Sequence, residues 1–78
     1  MYPRTVHALQ ADALFASTLQ RSDEMTIGEI RQAIAASLHV FGYAGCADRV
    51  AQEFGDHPEI AAARMRWAKA ALTALSAA

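Results

Sequence analysis

EFGDHPEIAAARMRWA, residues 53–68 of a 78-residue chain, decides how many helices the fold should contain. Glycine is favoured just past a helix end, where it takes a positive φ without a Cβ clash. Proline is favoured at the first helical position, where its missing N–H would find no partner anyway. Gly55 and Pro58 stand in that order. The residue before a proline avoids the α region, so His57 is expected to cap the helix that Pro58 opens. Asp56 with Glu59 three residues on is an alternative cap, and both acids suit the positive end of the helix dipole. The stretch predicts a helix ending at Gly55, a turn, and an alanine-rich helix from Pro58 to about Leu75. On it Ile60, Met65, Trp67, Ala68, Ala71, Leu72 and Leu75 share an apolar side, opposite Arg66, Lys69, Thr73 and Ser76.

Working backwards, a short helix is expected from about Gly45 to Phe54. Cys46, Val50 and Phe54 line one of its faces, and Asp48, Arg49, Gln52 and Glu53 the other. GYAGC, residues 42–46, reads as a tight connection, with Gly42 in the left-handed position that ends the preceding helix. That helix opens with two agreeing signals. Thr26 and Glu29 form a capping box, and Met25 and Ile30 occupy the staple positions around it. Ile27, Ile30, Ile34, Leu38 and Phe41 then follow the helical repeat as a core stripe to about Phe41. A first helix is expected from Thr5 to Arg21, preceded by Pro3. Val6, Leu9, Ala13 and Ala16 lie on one side of it, adjoined by Phe15 and Leu19. Leu14 falls among the polar residues His7, Gln10, Ser17, Thr18 and Arg21, where it is expected to face water or a partner.

These segments predict a single all-α domain over residues 1–78. It is a compact four-helix bundle with a short third helix, or a tri-helical core with an added N-terminal helix. Seven Lys and Arg balance eight Asp and Glu, which lacks the basic excess of a dedicated nucleic-acid binder. Cys46 is the single cysteine, so no disulfide forms within the chain, and a lone thiol suits a reducing compartment. No export signal and no apolar run of about 20 residues is visible, so a soluble cytoplasmic protein is expected.

The candidate sites follow from residue type and placement. Arg64 falls within the apolar face of the last helix. Either its stem snorkels or pairs with Asp48, Glu53 or Asp56, or it meets a partner or an anionic ligand. Trp67, three residues on, is either the core anchor of that helix or an interface residue, and it can stack with Arg64. Leu14, Arg64, Arg66 and Trp67 are therefore the expected partner-binding residues. His7, His39 and His57 lie on different elements and no zinc-type spacing occurs, so neither metal nor cofactor is expected. Cys46 beside Val50 reads as a small buried hydrophobe rather than a nucleophile, and no enzyme activity is expected.

The segment RVAQEFGDHPEIAAARMRWAKAAL, residues 49–72, resembles the helix-turn-helix in the C-terminal DNA-binding region of sigma factors. The likeness rests on Val50-Ala51, Phe54-Gly55, the turn, Arg64-Met65, Ala68 and Leu72. It implies DNA binding through Arg49, Arg66 and Lys69. The chain departs from that pattern at Asp56, Pro58, Glu59, Ala62 and Ala63, which offer few donors to base edges and bring acids toward phosphates. Residues 45–68 also resemble short alanine-rich actinobacterial helical proteins, through Gly-Cys-Ala, Glu-Phe-Gly-Asp-His-Pro-Glu and Arg-Met-Arg-Trp-Ala. That resemblance implies a self-contained helical domain and carries no activity with it. The expected function is a protein-interaction module that forms a homodimer. The alternative is a helix-turn-helix regulator with weak DNA contact. No membrane association is expected.

Overall fold

Three helices make up the protein: α1 (Val6–Ala16), α2 (Ile27–Asp56) and α3 (Pro58–Ala77). The computed structural model describes residues 5–20 and 25–77. The expected roles of Pro3 before the first helix, and of Arg21 at its end, fall outside those residues. The all-α class holds, and the four-helix count is corrected to three. The predicted second and third helices are two arms of α2, residues 27–41 and 43–56, and Gly42 alone departs from helical geometry between them.

Gly42 has φ 68° and ψ 173°. This is positive φ, as expected, but with an extended ψ instead of the left-handed helical one, in a region essentially reserved for glycine. A straight helix of 30 residues would run about 45 Å, whereas the longest dimension of the molecule is 31 Å. The chain must therefore bend, and Gly42 is where it does. Tyr43 already belongs to the second arm, so GYAGC is a hinge of one residue followed by helix and not a loop. Gly45 keeps the bend tight, because a Cβ there would stand 3.0 Å from the Phe41 Cβ. At Gly42 a Cβ would meet nothing within 4 Å, so the obstacle there is backbone conformation alone. Gly42→Ala is expected to cost about 1–3 kcal/mol, read as a lower urea midpoint with unchanged helicity.

The start signals lie where expected, with the return bond of the capping box joining the Thr26 and Glu29 side chains. Glu29 N–H donates to Thr26 Oγ1 at 3.1 Å, and the Thr26 hydroxyl lies 3.2 Å from Glu29 Oε1. Met25 packs on the core and Ile30 is buried in it. α3 opens at Pro58, and the His57 carbonyl accepts the Ala61 N–H at 2.9 Å. His57 is the whole connection between α2 and α3, and its own N–H closes α2 on the Glu53 carbonyl at 2.7 Å. Gly55, expected to end a helix, lies inside α2. Among the described residues only Gly42 takes a positive φ.

The core is made of α1 together with one face each of α2 and α3. Five consecutive residues of α1, Ala11 to Phe15, are buried, which covers more than a full turn. A helix apolar on all sides belongs in an interior. α1 packs against both other helices and has no watery side along this stretch. The expectation that Leu14 faces solvent is therefore corrected, since it is 0% exposed. α1 is also shorter than expected and stops at Ala16. There the Ser17 N–H and hydroxyl both turn back onto the Leu14 carbonyl, at 3.1 and 2.6 Å. From α2 the core receives Ile30, Ile34 and Cys46, with Leu38 and Phe41 half-buried and Ile27 at the surface. From α3 it receives Ala61, Ala68, Ala71 and Leu72, with Met65, Trp67 and Leu75 half-buried. Ile60, expected inside, is 66% exposed, because the buried register begins one residue later at Ala61. The radius of gyration, 11.8 Å, matches the roughly 11.5 Å expected of a folded domain of this length.

Candidate functional site

Arg64 sits at the junction of all three helices. Its Nε donates to the Phe15 carbonyl at 2.7 Å, and its Nη2 donates to the carbonyls of Ser17 and Leu19 at 2.9 and 3.0 Å. The last carbonyls of a helix lack intrahelical donors and carry the negative end of its dipole. Arg64 caps α1 from a residue 49 positions away. Its guanidinium carbon also lies 4.8 Å from the Trp67 ring centre and 5.8 Å from that of Phe15. Among the described residues it makes no ion pair; the expected acids Asp48, Glu53 and Asp56 do not hold it. Burial without an opposite charge pushes its pKa below the usual arginine value.

Beside this cap lies a groove of about 420 Å³, walled by Phe15, Ser17, Thr18 and Leu19 on one side and by Arg49, Glu53 and Arg64 on the other. Arg49 is held with its guanidinium carbon 3.9 Å from the centre of the Phe41 ring, a cation–π contact within α2. The Phe15 and Phe54 rings stack with centres 6.3 Å apart and joins α1 to the second arm of α2.

The remaining expected partner residues disperse. Trp67 is half-buried against the core, and its indole Nε1 is shut from solvent and has no acceptor among the described residues. Arg66 is exposed on α3. Leu14 is interior and offers no surface. Of the expected DNA-binding cations, Arg49 lines the groove next to Arg64. Lys69 is exposed on α3 and lines a separate depression near Asp12, Val50 and Met65. The structure thus brings Arg49 and Arg64 together and leaves Arg66 and Lys69 apart from that groove.

Asp12, to which the sequence drew no attention, is 3% exposed. Its neighbour is Cys46, fully buried, whose thiol contacts the Ser37 carbonyl at 3.7 Å. Burial first, and the Asp12 charge second, raise the Cys46 pKa, against a smaller lowering by Arg49. A thiol held protonated in this way is a poor nucleophile. The available signal for Asp12 is its place inside the apolar run Ala11 to Phe15, where it is the one charged residue. Among the described residues no three His, Cys, Asp or Glu side chains gather as a metal site would require. Among them, too, no helix is long and apolar enough to cross a membrane. Comparison with protein-family models, curated proteins and solved structures finds no match.

Proposed function

We propose that the protein is a small helical interaction module that pairs with a second copy of itself. The observation that carries this reading is the distribution of its large apolar side chains. Leu14, Phe15, Ile30, Ile34 and Leu72 are buried, while Val6, Ile27, Val40, Tyr43, Phe54 and Ile60 are exposed, Val40 at 69%. Much of the remaining interior is alanine. A domain this small gains little from its own core, and pairing adds buried apolar area where the single chain has least. Val40 and Tyr43 flank the Gly42 bend, and Phe54 and Ile60 flank the α2–α3 corner. These two regions are the proposed contact surface, and they replace Leu14 in that role. No catalytic activity is part of this reading.

Sedimentation equilibrium from low to high micromolar concentration tests it. The expected mass is twice 8.4 kDa, shifting toward 8.4 kDa in a variant carrying Val40→Asp and Ile60→Asp. A single-chain mass over the whole range for the unaltered protein overturns the proposal. Recognition of DNA draws less support. A helix-turn-helix joins its helices by a turn of about three or four residues, whereas α2 and α3 are joined by His57 alone.

A further inference from the structure

We propose that the groove beside the α1 end is an oxyanion site, taking the carboxylate or phosphate group of a small ligand between Arg49 and Arg64. Both arginines line the same groove, and neither makes an ion pair among the described residues. A guanidinium carries five N–H donors in a planar fork. Arg64 commits Nε and Nη2 to three carbonyls, and its Nη1 makes no hydrogen bond to any described residue. Only the two N–H groups of Nη1 are left over, and they can give an oxyanion a charge-assisted hydrogen bond from this one nitrogen, without the paired fork of a free guanidinium.

The electrostatics favour the same ligand. Arg64 is half-buried and faced by carbonyl dipoles and the Trp67 and Phe15 rings, with no ion pair among the described residues, so its full positive charge is incompletely compensated. Arg49 and Glu53 are one helical turn apart, the spacing at which opposite charges pair, yet they form no ion pair. Arg49 instead lies with its guanidinium against the Phe41 ring, a contact that restricts the side chain. Glu53 lines the groove as well and opposes an anion, leaving one net positive charge among the three side chains. Thr18, a hydroxyl-bearing residue, lines the same wall. The groove's volume admits a small organic acid or phosphate ester with room for its bound water.

Trp67 is the single tryptophan and lies 4.8 Å from Arg64, so its emission reports on occupancy. The probes are sodium phosphate and sodium succinate, each titrated against sodium chloride at matched ionic strength. A saturable emission change with phosphate or succinate, absent with chloride, is expected, and the responding salt tells phosphate from carboxylate chemistry. Arg49→Gln, at an exposed position, should weaken the response by about tenfold, the loss of one charge-assisted contact. Glu53→Gln should strengthen it by removing the repelling carboxylate. The proposal is overturned if chloride acts equally, if neither oxyanion saturates, or if Arg49→Gln leaves the midpoint unchanged. It is also overturned if Glu53→Gln weakens binding. None of these outcomes depends on whether the chain pairs with itself.

Discussion

Replacing Arg64 by alanine is expected to lower the unfolding free energy by about 2–4 kcal/mol. Three hydrogen bonds from one charged group are lost at once. The carbonyls of Phe15, Ser17 and Leu19 are left without that donor at the negative end of α1, where water reaches only part of the site. The half-buried position keeps the figure below the sum of three separate bonds. Arg64→Lys should recover less than half, because a point ammonium cannot span three carbonyls as a planar fork does. Arg64→Met keeps most of the apolar stem and separates lost packing from lost hydrogen bonding. Urea denaturation followed by circular dichroism measures all three. A midpoint within error of the parent for Arg64→Ala would show that the cap contributes nothing to stability.

Leu14→Ala is expected to cost about 2–5 kcal/mol, the range for truncating a fully enclosed leucine. Leu14 is among the largest fully buried side chains. Its helix has neighbours on several sides, so little relaxation is open to the cavity left behind. A domain of this size holds about 5–8 kcal/mol in total, so the variant should unfold at a markedly lower temperature than the parent. Thermal denaturation gives the answer. A shift of under about 1 kcal/mol, the scale of surface changes, would place Leu14 outside the core.

What could be read from the chain, and what could not, divides along a physical line. Signals that act within one turn were legible. Thr26 and Glu29 sit together because a cap needs only residues three apart, and His57-Pro58 opens α3 because proline fixes its own φ and restricts its neighbour. Gly42 was legible as a break for the same reason. The errors concern features set by distant parts of the chain. α1 stops at Ala16, where Ser17 closes on the Leu14 carbonyl and Arg64, 47 to 49 positions away along the chain, holds the carbonyls of Phe15 and Ser17. A helical wheel gives no account of Leu14 and Asp12, because it presumes one wet side and α1 has none across Ala11 to Phe15. Residue type alone favours Ile60 for the interior, whereas the register of Ala61, Met65, Ala68 and Leu72 excludes it. At the candidate site, Arg64 was singled out as an apolar-face cation. Its pairing with Arg49 across one groove depends on the bend at Gly42, which returns the second arm of α2 toward α1.

The enclosure of α1 also bears on how the chain acquires its shape. Eleven residues are too few to hold helical form alone in water. Helicity in this segment is therefore lent by the α2 arms and α3, which in turn lack an interior until the segment arrives. Neither half has a reason to persist without the other. A truncation that deletes the first helix should not leave a smaller folded remnant, and loss of order should spread through the whole molecule in one cooperative step.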